Sequence, residues 1–345
     1  MKALVLEKKL QLSLRDIDLP TSLGAADVKI KMHTVGICGS DVHYYQHGKI
    51  GPFVVKEPMV LGHEGSGTIV EVGNKVSNVK IGDRVCVEPG VPNINSKEYL
   101  KGIYNLDPDL TFWATPPDHG CLTPHVVFPS RFVFKLPDNV SYAEGAMIEP
   151  LAVGLQAVEK AKIIPGEVAL VMGCGPIGLV IALTALAGGC SKVFIADIIS
   201  EKLKICESYD NLVGIDLTKE NIVSKIKSLT DNWGANMIFE ASGAVKAYDI
   251  FFESICPAGR VILVGNPMDN VPMDFATFLT KEIEIKTVFR YAHQYDRAIR
   301  LLSSNKIDVK PMITDTLLFN DSIKAFERAA KNLPKDVKLQ ILVDS

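Results

Sequence analysis

Val168-Ala169-Leu170-Val171-Met172-Gly173-Cys174-Gly175-Pro176-Ile177-Gly178 decides the fold of the second half of this chain. The unbroken apolar run at its start suits a parallel strand covered on both faces. Three glycines follow. The first permits a tight turn from strand to helix, the second lets a pyrophosphate approach bare backbone, and the third lets helix and strand pack closely. Residues 179–187 continue as an apolar helix, and residues 192–197 read as the next strand, ending on Asp197. Phosphates would sit at the positive end of the helix dipole. A carboxylate at Asp197 would accept hydrogen bonds from both ribose hydroxyls and repel a 2′-phosphate, so NAD is expected over NADP. Lys202 lies close enough in sequence to blur that choice slightly. The glycine pattern alone is weak and occurs as a simple turn in unrelated α/β proteins. The apolar strand before it, the helix after it and the acid beyond carry the reading.

Working outward, residues 151–161 have helical spacing, and residues 237–240 and 260–265 read as further strands separated by helical stretches. Alternating strand and helix predict an α/β, doubly wound parallel sheet over 151–288. Residues 1–150 have a different texture. Residues 28–35 alternate apolar and polar, as a strand with one wet face does. Residues 67–73 and 81–87 read as two more strands, and glycine and proline punctuate the spaces between. A mostly β, barrel-like domain is expected there. The tail from Phe289 is expected to return to it, making that domain discontinuous, 1–150 with 289–345. The apolar segments 261–264 and 283–288 would either pair across a two-fold axis or lie buried within one chain.

A chain of 345 residues accommodates two domains with a sizeable core in each. Its net charge of −3 offers no electrostatic reason to expect nucleic acid or an anionic membrane as partner. The apolar part of the N-terminus is too short for a secretory signal, and no apolar run approaches a membrane span. Seven cysteines, scattered and odd in number, suit reduced thiols in a cytoplasmic protein better than a disulfide framework. Cys86, Cys121, Cys190, Cys206 and Cys256 lie in apolar surroundings and read as packing residues, and His33 as a solvated strand residue.

Two short runs carry a second kind of chemistry. Gly36-Ile37-Cys38-Gly39-Ser40-Asp41-Val42-His43 and Gly62-His63-Glu64-Gly65-Ser66-Gly67 together offer a thiolate, an imidazole and a carboxylate. That donor set suits zinc with one position left open, the catalytic arrangement. Taken singly, Cys38 reads as a small buried residue, His63 as a core histidine and Glu64 as a surface acid. The glycine-bracketed turns that hold all three shift the balance. Glu149, in Met147-Ile148-Glu149-Pro150 at the domain junction, is a further candidate. Zinc together with a nicotinamide cofactor points to alcohol oxidation by hydride transfer.

These runs, with Gly82-Asp83-Arg84-Val85, resemble the zinc-dependent medium-chain dehydrogenase/reductase family. Residues 41–51, Tyr104-Asn105-Leu106, Ala114-Thr115-Pro116-Pro117 and Val288-Phe289-Arg290-Tyr291 resemble its polyol branch, the xylitol and sorbitol dehydrogenases, and the likeness runs nearly end to end. The resemblance implies a Rossmann domain beside a GroES-like barrel. It implies that Cys38, His63 and Glu64 hold the zinc, with Glu149 in or next to that shell, directly or through water. Ser40, His43 and Glu149 match catalytic positions, Ser40 and His43 as a proton relay. Tyr44, Glu149, Arg290 and Tyr291 match substrate contacts. Gly173, Gly175, Ile177, Gly178, Asp197, Lys202, Gly265, Asn266, Phe289 and Arg290 match cofactor contacts. Many relatives hold a second, structural zinc with four cysteines, and residues 91–105 contain none, so one zinc per chain is expected.

The implied reaction is hydride transfer from xylitol to NAD, giving D-xylulose, reversibly. Oxidation of sorbitol to fructose is the near alternative. A zinc-free reductase of the same fold, as in quinone reductases, would lack the Cys38, His63 or Glu64 counterparts. A non-catalytic NAD-binding or structural protein would not need the relay and ligand residues. A homotetramer, or a dimer, is the expected assembly, with a small polyol or keto sugar as the other partner.

Overall fold

The computed structural model describes residues 1–267 and 269–344. Internal contacts divide the chain into Met1–Glu149 with Tyr295–Ser345, and Pro150–Gln294. Phe289 to Gln294, expected with the first domain, belong to the second unit. The reason is local: Ala292 donates its N–H to Gln156 Oε1 at 3.2 Å, and Gln294 Nε2 bonds Glu159 Oε2 at 3.0 Å, both on the helix Ile148–Ala161.

The second unit is built on six parallel strands. Their spatial order is Leu212–Asp216, Lys192–Asp197, Val168–Met172, Ala235–Glu240, Ile255–Leu263 and Glu284–Thr287. The order runs outward in both directions from Val168–Met172, so a crevice opens at the carboxyl ends of that strand and Ala235–Glu240. The glycine turn lies there. Ala169, Leu170 and Val171 are fully buried, as a strand covered on both faces demands. Pro176 opens the helix Pro176–Ala187, where its missing N–H costs nothing. A Cβ on Gly178 would stand 1.8 Å from the Gly173 carbonyl oxygen, so only glycine lets this helix approach its strand. Ile255–Leu263 is hydrogen-bonded on both sides, so its segment 261–264 has no free edge for pairing across a two-fold axis. Glu284–Thr287 is the outer strand.

In the first unit the strand Asp27–Gly36 is central. It pairs along its length with Glu64–Val72. On its other side the first half pairs with His125–Pro129 and the last residues with Lys338–Leu342. Arg84–Val87, Val133–Lys135 and Ile313–Leu318 complete this sheet, and Lys2–Lys8, Gln11–Asp16 and Met59–Val60 form a smaller one. The C-terminal strand therefore sets Gln340 beside Gly36 and finishes at Leu342 beside Thr34. His33, expected solvated on the wet face, is half-buried. Its ring stacks on Tyr142 at 4.0 Å between centroids, and its Nδ1 lies 2.8 Å from Thr34 Oγ1.

The cysteine-free lobe is ordered by one carboxylate. Asp107 Oδ2 accepts from the Asn93 N–H at 2.7 Å and from Ser96 Oγ at 3.0 Å, while Oδ1 accepts from the Asp109 N–H at 3.0 Å. Ser96 in turn caps the short helix Lys97–Leu100 through the Tyr99 N–H. Among the described residues no helix is long and apolar enough to cross a membrane.

Candidate metal centre and cofactor turn

Strand register assembles the metal centre. Gly36 pairs directly with Glu64. A Cβ at Gly36 would fall 2.0 Å from Glu64 Oε2, so glycine here leaves the space the carboxylate fills. Two residues further on, Cys38 ends the strand exit and precedes the helix Gly39–His47. His63 comes immediately before the strand that Glu64 begins. Cys38, His63 and Glu64 place one ligand atom each within 4.8 Å of one another. Sulfur, nitrogen and oxygen donors at that separation fit zinc.

The imidazole is oriented from behind. His63 Nδ1 lies 3.4 Å from Asp41 Oδ2, and Asp41 Oδ1 accepts from the Gly62 N–H at 3.2 Å. Asp41 is wholly buried and His63 nearly so. Burial works against a charged ring, yet Asp41 and Cys38 together hold the His63 pKa well above its usual value. Nδ1 faces Asp41 at ion-pair separation without a full hydrogen bond, which leaves Nε2 as the nitrogen for a metal, the usual carboxylate–histidine arrangement.

The carboxylate is met by a buried ammonium. Lys338 Nζ donates to Glu64 Oε1 at 2.6 Å and to the Ile37 carbonyl at 3.1 Å. Burial opposes its charge, but Glu64 and Cys38 outweigh this and raise the Lys338 pKa. Asp41 and Lys338 are the functional residues that sequence reasoning did not reach. Asp41 stood in plain view between Ser40 and His43. Lys338 carries no local signal, because its contact with Glu64 spans 274 residues.

Glu149 is not one of the three donors that converge. It stands outside the three-donor group, in the first turn of Ile148–Ala161, on a segment that is not paired with Gly36 or Glu64. It is 6% exposed, and its charge is felt at Lys338 and at Glu88. Ser40 and His43 fall three residues apart on Gly39–His47, hence on one face, with Tyr44 buried beside them. Burial, followed by the nearby His47, lowers the His43 pKa. The two rings lie 4.4 Å apart. Phe112 tilts against the His63 ring at 5.8 Å, while Trp113 packs on Phe128 in the core.

In the second unit the glycine turn is tied to its acid. The Cys174 N–H donates to Asp197 Oδ2 at 2.8 Å, and the Ile199 N–H to Oδ1 at 2.9 Å. The carboxylate is thereby aimed, and each oxygen keeps a further lone pair. Gly173, Gly175, Ile177, Gly178 and Lys202 lie on or next to this turn. Gly265 donates its N–H to the Glu240 carbonyl at 2.8 Å, which places Gly265 and Asn266 at the end of the neighbouring strand. Glu240 itself escaped notice as anything but a strand residue. Fully buried, its Oε1 accepts from the Ser242 N–H at 2.8 Å and the Gly243 N–H at 3.0 Å, and burial raises its pKa. Arg290 adopts a φ of 52° with its guanidinium 5.0 Å over the Phe289 ring, and Tyr291 is 3% exposed. Thus Tyr44 and Glu149 belong to the first unit, and Arg290 and Tyr291 to the second.

The Alcohol dehydrogenase GroES-like domain family matches residues 24–138, and the Zinc-binding dehydrogenase family matches residues 176–304. A D-xylulose reductase of Morganella morganii is 52% identical over 96% of this chain and 98% of its own length. The sorbitol dehydrogenase of Mus musculus is 40% identical over 92% of this chain and 90% of its own. Among solved structures, an Escherichia coli oxidoreductase/dehydrogenase of unknown specificity superposes with a TM-score of 0.94 at 33% identity, covering 100% of this chain and 99% of that one.

Proposed function

The chain belongs to the zinc-dependent medium-chain dehydrogenase/reductase family, in its polyol branch, and from that premise we propose that it interconverts xylitol and D-xylulose with NAD. The observation that carries the reading is the convergence of Cys38, His63 and Glu64. Those residues would hold the zinc. When bound, zinc supplies a Lewis acid that makes a substrate hydroxyl acidic.

The chain's own residues do the rest. Asp41 keeps the His63 ring in the tautomer that offers Nε2. Lys338 offsets part of the negative charge that Cys38 and Glu64 bring together. Ser40 takes the proton released by the substrate hydroxyl and passes it to His43, whose lowered pKa leaves it neutral and able to accept. Glu149 offers a second buried acceptor for the same proton. Residues 173–178 receive the pyrophosphate, with Ile177, Gly265, Asn266, Phe289 and Arg290 as further cofactor contacts. Asp197 binds the ribose hydroxyls and disfavours a 2′-phosphate, which supports NAD over NADP. Tyr44, Glu149, Arg290 and Tyr291 bind substrate hydroxyls, and a site built for such bonds rejects simple aliphatic alcohols strongly.

Xylitol is preferred over sorbitol because identity to a D-xylulose reductase exceeds identity to a sorbitol dehydrogenase. A single zinc per chain is supported by the cysteine-free lobe and by Asp107 as its organiser. NADH formation with a panel of polyols tests the proposal, with metal content measured on the same sample. Expected are one zinc per chain and a higher kcat/KM for xylitol than for sorbitol. In Cys38→Ser and His63→Ala, zinc and turnover should be lost while NADH binding persists. Full turnover in either variant, or in metal-free protein, sinks the reading.

A further inference from the structure

Glu240 ends the strand Ala235–Glu240, next to the strand that runs into the cofactor turn. It is fully buried, and its side chain turns to the loop that follows it. Oε1 accepts from the Ser242 N–H at 2.8 Å, from the Ser242 hydroxyl, and from the Gly243 N–H at 3.0 Å. Oε2 lies 3.2 Å from the same Gly243 nitrogen. The Glu240 carbonyl serves the next loop, accepting from the Val264 and Gly265 N–H groups at 2.8 Å each. One residue thus holds 242–243 with its side chain and 264–265 with its main chain.

Close backbone approaches join these parts. A Cβ on Gly265 would fall 2.3 Å from Glu240 Oε2, so the loop 264–266 rests on the carboxylate itself. A Cβ on Gly243 would stand 3.0 Å from the Asn266 carbonyl oxygen, so the two loops also touch each other. A Cβ on Gly173 would stand 3.0 Å from Ser242 Cα, so the loop 242–243 abuts the cofactor turn.

Strand order assigns a half of the dinucleotide to this place. Lys192–Asp197, which ends on the acid expected at the adenosine ribose, flanks Val168–Met172 on one side. Ala235–Glu240 and then Ile255–Leu263 follow on the other. A pyrophosphate at the turn between them sends the nicotinamide half over the ends of those last two strands. We infer that Glu240 is a positioning residue for the nicotinamide half of the cofactor: its carboxylate fixes the loops 242–243 and 264–266 on which that half rests. It acts through those loops and not on the reacting atoms. The inference rests on residues 173–178 being a dinucleotide cradle.

Removing the carboxylate leaves the Ser242 and Gly243 N–H groups without their acceptor and takes away the surface under Gly265. Asp197 keeps its own bonds from Cys174 and Ile199, so the adenosine side should hold its shape. The experiment titrates NADH and ADP-ribose against the zinc-loaded parent chain, Glu240→Ala and Glu240→Gln. ADP-ribose carries the groups that meet the turn and Asp197 but no nicotinamide. Glu240→Ala should weaken NADH by about tenfold or more and ADP-ribose by less than about twofold, with zinc content unchanged. Glu240→Gln keeps an oxygen for Ser242 but sets an NH2 group against the Gly243 N–H, so its NADH loss should be intermediate, about threefold. Equal losses of both ligands would show a general loosening and overturn the inference, as would NADH affinity equal to the parent's. If Glu240→Ala does not fold, the same comparison in Glu240→Gln decides alone. A parent chain that binds neither ligand sinks the cradle reading itself, and this inference with it, a result distinct from any confined to the variants.

Discussion

Lys338 Nζ lies 2.6 Å from Glu64 Oε1, with the two side chains only 2% and 1% exposed. An ammonium and a carboxylate removed from water depend on each other, because either one alone would be a buried unpaired charge. The pair sits inside the donor group that fits zinc, so its energetics are coupled to the metal.

Lys338→Met is therefore expected to destabilise the metal-free protein by about 3–5 kcal/mol, the usual penalty for orphaning a buried charge. Zinc would compensate by supplying positive charge to Glu64, so the zinc-loaded variant should lose much less. Thermal unfolding of the variant and the parent chain, each with and without zinc, checks this. Equal losses in both states would contradict the coupling.

Asp41→Asn should weaken zinc binding by roughly 10–100-fold. The amide can offer its NH2 to Nδ1, which favours the tautomer with the proton on Nε2, where the metal has to bind. Competition with a chromogenic chelator measures the affinity directly. An unchanged affinity would mean that Asp41 serves Gly62 alone.

Glu88 gives a pH dependence with a definite sign. Burial is the main cause that raises its pKa to about 7; the Tyr104 hydroxyl bond opposes, and the charges of Glu149 and Asp296 add to the rise. The folded value lies above the ordinary 4.5, so the native state retains a proton that the unfolded chain has already released. Stability of the metal-free protein should fall as pH rises from about 4.5 to about 7 and then level off. Denaturation midpoints across that window would show a flatter curve for Glu88→Gln.

Asp107→Asn should loosen the lobe. The Asn93 and Ser96 donors would face an amide where they now share a carboxylate oxygen, at a cost of about 1–3 kcal/mol. Those bonds outweigh burial and hold the Asp107 pKa below its usual range, so their contribution is present at neutral pH and lost as pH falls through the folded value. Hydrogen exchange at Asn93 and Tyr99 reads the local effect.

Much was legible along the chain where neighbours in sequence are neighbours in space. The strand Val168–Met172, the glycine turn and Asp197 fall within one strand–helix–strand unit, and their spacing is set by local geometry. Cys38, His63 and Glu64 were legible as donor types because glycines bracket them. Illegible were contacts that no spacing encodes. The stacking of Tyr142 on the half-buried His33 is one of them. The lobe's organiser fell just outside the segment where cysteines would have been sought.

The sequence by itself determined the doubly wound sheet, the dinucleotide turn and the candidate zinc donors, because hydrophobic period, glycine placement and donor chemistry are properties of short segments. Only the tertiary structure decided that Gly36 faces Glu64 and that Lys338 arrives from the far end of the chain to neutralise it. Strand register and the pairing of distant segments settle such meetings, and both depend on the packing of a whole unit, which no short stretch contains.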